Sequence, residues 1–212
     1  LILAIFVLAA VIALLWIESN CVLVGGKLYR QGDTIDLRGG EVSIAEYDEL
    51  RARFPDSVIL WNVPIGSRSF DSSSTSVSVD NYSEAEIDSF RYLPQLKTID
   101  ASDADCYDVI MKTIDAYPNC TVKYQVKLGG SAYAGDTAQL VLDSPTSLSE
   151  LEARLQYFPQ LESVDLRAAG LGDDEEDALI DAFPDISVLR EVELAGKSFD
   201  TSAAELDLSG TD

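Results

Sequence analysis

A proline preceded by an aromatic residue or leucine recurs along most of the chain, and this recurrence is the strongest constraint on its fold. The pairs are Phe54-Pro55, Leu93-Pro94, Tyr117-Pro118, Phe158-Pro159 and Phe183-Pro184. Alternate prolines lie about 65 residues apart, and such a period is typical of stacked supersecondary units. A glycine turn followed by an aromatic residue is a second recurring marker, seen at Gly25-Gly26, Gly66, Gly129-Gly130 and Gly196. Two markers with a similar period indicate a repeated unit.

Within the unit, two kinds of strand are predicted. Short segments of the form apolar-x-apolar occur at 35–37, 77–79, 99–101, 140–142, 164–166 and 206–208. Longer segments rich in β-branched residues occur at 58–63, 122–126 and 188–192, and each leads into the glycine turn. A β-branched run that ends in a glycine turn is typical of a small hairpin.

Helices are predicted between these strands by their start and stop signals. The Ser-x-x-Glu capping box occurs as Ser43 with Glu46, Ser83 with Glu86, and Ser147 with Glu150. In this motif each residue satisfies a backbone N–H of the other at the helix start. Asp173 with Glu176 is predicted to act in the same way. Each helix is expected to stop at the following proline pair, since proline disfavours the helical conformation of the residue before it.

Two segments, Ile35-Asp36-Leu37-Arg38-Gly39 and Leu206-Asp207-Leu208-Ser209-Gly210, resemble the strand core of leucine-rich repeats. The phrase from Phe158 to Ile186 is similar to the irregular leucine-rich repeats of bacterial membrane-anchored surface proteins. The resemblance implies an α/β fold, a leucine-rich-repeat-like solenoid of short parallel strands and capped helices over residues 25–212, with the last unit truncated. The chain departs from the family pattern because it lacks the usual Asn/Cys ladder position and alternates long and short spacings.

The first seventeen residues, Leu1 to Ile17, carry no charged side chain. A helix of this length is roughly 25 Å long, close to the hydrocarbon core of a bilayer, and Trp16 suits an interfacial position. We expect a transmembrane anchor over 1–17 that extends upstream, followed by a juxtamembrane segment and first strand over 18–24. A signal peptide and a buried core helix are the alternatives. The expected location is a single-pass membrane protein with its repeats outside the cell.

Composition excludes several function classes. The chain has 15 Lys and Arg against 37 Asp and Glu, a formal net charge of −22, and no histidine. Such a charge repels nucleic acid, and the lack of histidine removes imidazole bases and histidine-ligated metals. We therefore expect no enzyme activity, no cofactor and no metal site.

A pair of cysteines and a run of acidic residues each allow both a structural and a functional interpretation. Cys106 and Cys120 flank a predicted helix that holds them too far apart for a disulfide, so two small apolar side chains are the better interpretation. The acidic run 173–177 offers oxygen ligands for Ca²⁺ but matches no calcium-loop spacing. A solvated helix start explains it better, since carboxylates are favourable there.

Polar residues at the middle of the predicted strands form the candidate binding site. In an apolar-x-apolar strand the middle side chain points away from the core. The candidate ligand-binding residues are Asp36, Asn62, Asp100, Gln125, Asp165, Glu191 and Asp207. They are predicted to line an acidic docking face for a basic protein or a cationic surface ligand. The alternative is that these residues keep an exposed sheet soluble.

Together these observations predict a membrane-anchored extracellular module for protein interaction or adhesion. The alternative is the ligand-sensing ectodomain of a membrane-tethered sensor or enzyme whose effector domain lies outside this sequence. A structural spacer is a third possibility.

Overall fold

A computed structural model describes residues 2–24, 27–194 and 197–201. The chain divides into two compact units. The first unit comprises Leu1–Ile99 with Ala116–Thr121, and the second comprises Asp100–Asp115 with Val122–Asp212. Both units alternate short strands with short helices, which places the chain in the mixed α/β class.

Ten elements precede the eighth strand. In chain order they are α1 (Ile2–Asn20), β1 (Cys21–Val24), β2 (Lys27–Arg30), β3 (Thr34–Asp36), α2 (Ile44–Arg53), β4 (Val58–Leu60), β5 (Asn62–Ile65), β6 (Arg68–Asp71), β7 (Ser76–Ser78) and the 3₁₀ helix Glu84–Tyr92. The pairs β1–β2 and β5–β6 are antiparallel hairpins, and β3 pairs with β4 in parallel. The first unit therefore contains both kinds of strand pairing.

The remaining elements begin at β8 (Thr98–Ala101) and α3 (Tyr107–Ala116). They continue as β9 (Thr121–Leu128), β10 (Ser131–Ala134), β11 (Gln139–Val141), α4 (Leu148–Arg154), the 3₁₀ turn Leu155–Tyr157, β12 (Ser163–Asp165), α5 (Asp173–Ala182), β13 (Ser187–Leu189), β14 (Glu191–Leu194) and β15 (Lys197–Asp200). Strands β11, β12 and β13 are parallel neighbours, whereas β9–β10 and β14–β15 are antiparallel hairpins.

The alternation predicted for the short strands is confirmed. Ile35 and Leu37 are buried while Asp36 between them is exposed. Leu140 and Leu142 are likewise buried, whereas Val141 is 61% exposed. Because successive side chains of a strand point to opposite faces, each short strand in the described part of the chain contributes two side chains to the core and one to the opposite face. The predicted strand 206–208 lies outside the described residues.

The predicted helix boundaries are also confirmed, with two corrections to the caps. The side chains of Ser43 and Glu46 each accept a hydrogen bond from the other's backbone N–H, and α2 ends just before Phe54-Pro55. At Ser147 the hydroxyl accepts the Glu150 N–H at 3.3 Å, but the Glu150 carboxylate accepts from Gly129 instead of closing the predicted capping box. At α5 the cap residue is Gly172, whose N–H donates to the Glu175 carboxylate at 3.0 Å. The predicted pairing of Asp173 with Glu176 is therefore wrong by one residue.

The glycine turn and the capping glutamate, two separate markers in the sequence, meet in space. The Gly66 N–H at the β5–β6 turn donates to Glu86 at 2.9 Å, and the Gly129 N–H at the β9–β10 turn donates to Glu150 at 3.1 Å. Both glycines have a positive φ, near +60° and +58°. The glutamate of a Ser-x-x-Glu motif thus holds the turn of the preceding hairpin in both units.

The leucine-rich-repeat-like solenoid predicted for 25–212 is contradicted, although its short parallel strands and capped helices are present. The described strands form six small sheets of two to four strands instead of one continuous parallel sheet. The physical reason lies in the glycine turns. A positive φ at Gly66 and Gly129 reverses the chain within two residues, so β5 and β9, which lead into these turns, pair antiparallel with the strands that follow them. Strand β4, at the start of the same long segment as β5, still pairs in parallel.

The predicted transmembrane anchor over 1–17 is contradicted as well. Among the described residues, no helix is long and apolar enough to cross a membrane. Helix α1 has 19 residues, but it ends in Glu18, Ser19 and Asn20, and its part before Glu18 is about 24 Å long against a hydrocarbon core of about 30 Å. The predicted single-pass location outside the cell is contradicted by the same finding.

The absence of a bond between the two cysteines and the helix start at the acidic run agree with the predictions, but the cysteines are less buried than expected, and the Cys120 thiol donates to the Leu96 carbonyl at 3.5 Å. Cys106 and Cys120 are free and half-buried. In the acidic run, Asp173 to Glu175 are exposed in the first turn of α5, whereas Glu176 is 7% exposed. Its neighbour Asp177 accepts a hydrogen bond from Arg190 at 2.6 Å.

Candidate functional site

An arginine lies at the centre of the first group of predicted site residues, in the first unit. Arg38 donates to both carboxylate oxygens of Asp36, at 2.9 and 2.6 Å, and to Asp71 at 3.0 Å. Asn62 donates its side-chain amide to the Arg38 carbonyl at 2.8 Å. These bonds bring the predicted Asp36 and Asn62 together, and the hydrogen bonds to Asp36 and Asp71 raise the pKa of Arg38. We call Asp36, Arg38 and Asp71 the first arginine cluster.

The same arrangement occurs in the second unit. Arg167 donates to both carboxylate oxygens of Asp165 and to Asp200. The Arg167 hydrogen bond holds the pKa of Asp165 below its usual range. Glu191, the equivalent of Asn62, lies opposite Asp200 in the β14–β15 hairpin. The hydrogen bond to Asp165 raises the pKa of Arg167, and the charges of Asp200 and Glu191 raise it further. Asp165, Arg167 and Asp200 form the second arginine cluster.

The third group, also in the second unit, lacks the arginine. Ser102 stands two residues after Asp100, and its backbone N–H donates to the Asp100 carboxylate at 3.1 Å. Hydrogen bonds from Ser102 lower the pKa of Asp100, and the charge of Lys123 lowers it further. Gln125 is exposed and lies opposite Ala134 in the β9–β10 hairpin.

Each predicted strand aspartate in the described part of the chain therefore has a basic neighbour. Asp36 has Arg38, Asp165 has Arg167, and Asp100 is influenced by Lys123. The charge of these strand positions is partly offset, which leaves a weaker attraction for a cationic ligand than the aspartates alone would give. Asp207 lies outside the described residues.

An acidic cavity adjoins the first of these groups. Its volume is about 530 Å³, and it is bordered by the N-terminal end of α2 and by the β5–β6 hairpin. The polar and acidic side chains that line it are those of Glu41, Ser43, Glu46, Asn62 and Ser69. None of the described residues that line it is basic. Asn62 is thus the predicted site residue that borders a cavity.

The two glutamates of the acidic cavity differ in their local bonding. Glu46 accepts the backbone N–H and the hydroxyl of Ser43, each at 2.8 Å, and these bonds lower the pKa of Glu46. Glu41 is exposed and precedes the capping box. With Glu46 held ionised by the helix start and Glu41 free to turn, the cavity can receive an ammonium or guanidinium group.

The sequence offered little to locate this cavity. Glu46 was interpreted as a capping residue, and that role is confirmed, but Glu41 carried no motif. The basic partners of the strand aspartates were more accessible to prediction. A residue two positions after a strand aspartate lies on the same face when the strand geometry continues, and Arg38 and Arg167 stand at that position.

Within the described residues, no group of three or more Cys, Asp or Glu side chains is arranged to hold a metal ion. No protein-family model, no curated protein and no solved structure matches the chain. The resemblance to leucine-rich repeats therefore remains a prediction from the residues that carry it.

Proposed function

We propose that this protein is a non-catalytic interaction module that binds a basic segment of a partner protein in the acidic cavity. The observation that carries the proposal is the composition of that cavity, where Glu41 and Glu46 face a space of about 530 Å³ with no basic side chain among the described lining residues. A cavity of this size matches a ligand-binding cleft.

The surroundings of the acidic cavity support a cationic ligand. The net charge of −22 favours the approach of a basic partner over long distances. Asn62 and Ser69 add polar groups that can orient a guanidinium or ammonium. The carboxylates of the arginine cluster beside the cavity are paired with the Arg38 guanidinium. The hydrogen bonds to Glu46 come from the neutral Ser43 and do not offset its charge, so Glu41 and Glu46 are the acids that supply negative charge to the ligand.

A charge reversal in the cavity tests this proposal. Glu41→Lys is expected to weaken binding of a fluorescein-labelled Arg-Gly-Arg-Gly-Arg peptide about tenfold, because an attraction becomes a repulsion at short range. Fluorescence anisotropy at low and at physiological ionic strength measures the affinity. Wild-type binding is expected to weaken as salt is added, since the charges are exposed to solvent.

Glu152→Lys is the matched control. It makes the same change of charge at an exposed position on α4, in the second unit, and Glu152 is not among the residues that line the cavity. Equal losses of affinity in the two variants would mean that the peptide responds to net charge and would overturn the proposal. Lack of wild-type binding at low ionic strength would overturn it as well.

A further inference from the structure

A second cavity shares a wall with the acidic cavity. Its volume is about 330 Å³, and Glu41, Val42 and Glu46 line both spaces. Its remaining apolar lining comes from Val22 and Leu23 of β1 and from Leu50 of α2. We call this space the apolar cavity.

Helix α2, which borders both cavities, is the least covered helix whose burial is described throughout. It has no buried residue. By contrast, Ile87 and Phe90 are buried in the 3₁₀ helix, and Leu151 is buried in α4. An amphipathic helix is stabilised mainly by covering its apolar stripe. The apolar side of α2 therefore has surface left for a ligand.

The charge around the apolar cavity indicates what covers it. Glu41, Glu46 and Glu49 border the space together with a single basic residue, Arg53. Arg53 also donates to the Cys21 carbonyl at 3.2 Å, which holds it against β1. An apolar surface with an acidic border is complementary to a segment that carries both an aliphatic and a basic side chain.

We propose that the partner segment places a basic side chain in the acidic cavity and an aliphatic side chain in the apolar cavity. This inference rests on the proposed function and narrows its ligand to basic segments that contain leucine, isoleucine, valine or methionine. The shared wall of Glu41, Val42 and Glu46 lets one short segment reach both spaces.

Two labelled peptides of equal charge test the inference, Arg-Gly-Leu-Gly-Arg and Arg-Gly-Gly-Gly-Arg. The wild-type protein is expected to bind the leucine peptide about tenfold more tightly, since burial of one aliphatic side chain accounts for a difference of that size.

A variant of the apolar cavity is the second test. Leu23→Ser is expected to weaken binding of the leucine peptide about fivefold and to leave binding of the glycine peptide unchanged. Leu23 is 67% exposed, so its replacement leaves the folded core intact.

Leu28→Ser is the matched control. Leu28 is Leu23's cross-strand neighbour in the β1–β2 hairpin, is 52% exposed and does not line the cavity, so this variant is expected to bind both peptides as the wild type does. Equal affinity of the wild type for the two peptides would overturn the inference and leave the proposed function standing. Failure of both peptides to bind would overturn the proposed function itself.

Discussion

Gly129→Ala is expected to destabilise the second unit by about 4 kcal/mol, a large part of the stability of an ordinary domain. Gly129 has a φ of +58°, and a Cβ built there would lie 2.3 Å from the Thr146 Oγ1 and 3.1 Å from the Ser144 Oγ. A left-handed alanine costs about 1 kcal/mol, and overpacking adds about 3 kcal/mol.

The neighbours of Gly129 cannot move aside at little cost. Thr146 is 5% exposed, its hydroxyl donates to the Ser144 carbonyl at 3.1 Å, and its N–H donates to the Ala169 carbonyl at 2.9 Å. The same turn is held to Glu150 by the Gly129 N–H. A displaced turn would therefore break several hydrogen bonds together.

Gly130→Ala separates the cost of the left-handed backbone from the cost of overpacking. Gly130 has a φ of +82°, but a Cβ there would meet no atom within 4 Å, so this variant is expected to lose about 1 kcal/mol from backbone strain alone. Thermal unfolding followed by far-UV circular dichroism measures both variants, and a decrease in Tm of roughly 18 °C is expected for Gly129→Ala. Equal losses for Gly129→Ala and Gly130→Ala would show that the contact with Thr146 does not matter.

Local structure could be predicted from this sequence because its signals are local. The apolar-x-apolar pattern placed Asp36 and Asp165 opposite the core, since strand side chains alternate with a period of two. The capping boxes and proline pairs placed the helix ends within a residue or two. Each of these signals acts between residues close together in the chain.

The assembly of the strands could not be predicted in the same way. Whether a β-branched segment continues a parallel sheet or turns back depends on the φ of one glycine and on what that glycine's N–H meets. At Gly66 the N–H meets Glu86, twenty residues later. The sequence shows both residues but not their contact. The short strands and helices were therefore predicted correctly, whereas their arrangement in a solenoid was wrong.

In the candidate site, too, the features set by local sequence could be predicted and those set by tertiary contacts could not. The sequence pattern identifies Asp36 and Asp165 at the strand positions. It does not show that Arg38 and Arg167 are each shared with a second acid, Asp71 and Asp200, which lie on the second strands of two hairpins. The acidic cavity depends on how little of α2 is covered by the rest of the first unit. Such coverage is a tertiary property that no residue pattern in α2 reveals.

Glu86 is the second position where a substitution is expected to have a large effect, because one carboxylate stabilises two elements. It accepts the Ser83 N–H and hydroxyl, each at 2.8 Å, and the Gly66 N–H at 2.9 Å. Glu86→Gln removes the charge and replaces one acceptor oxygen by an amide that also donates. We expect a loss of about 2 kcal/mol in the first unit, as for loss of charge-assisted hydrogen bonds at a helix start.

Tryptophan fluorescence measures this effect on the first unit alone, since both tryptophans of the chain, Trp16 and Trp61, lie there. Trp61 is 1% exposed and packs against Tyr47 with ring centroids 4.4 Å apart, so its emission shifts to longer wavelength on unfolding. Asp88→Asn is the control, because Asp88 is an exposed acid of the same 3₁₀ helix.

The stability that Glu86 contributes is expected to depend on pH. The hydrogen bonds from Ser83 and Gly66 lower the pKa of Glu86 from its ordinary value of 4.5. A carboxylate with a depressed pKa in the folded state stabilises the fold above its unfolded pKa, and that contribution is lost as the pH falls through the folded pKa. The difference in stability between the wild type and Glu86→Gln is therefore expected to be constant above about pH 5.5 and to shrink below about pH 4.5. A difference that stays constant down to pH 3 would mean that the charge of Glu86 does not hold the hairpin turn to the helix start.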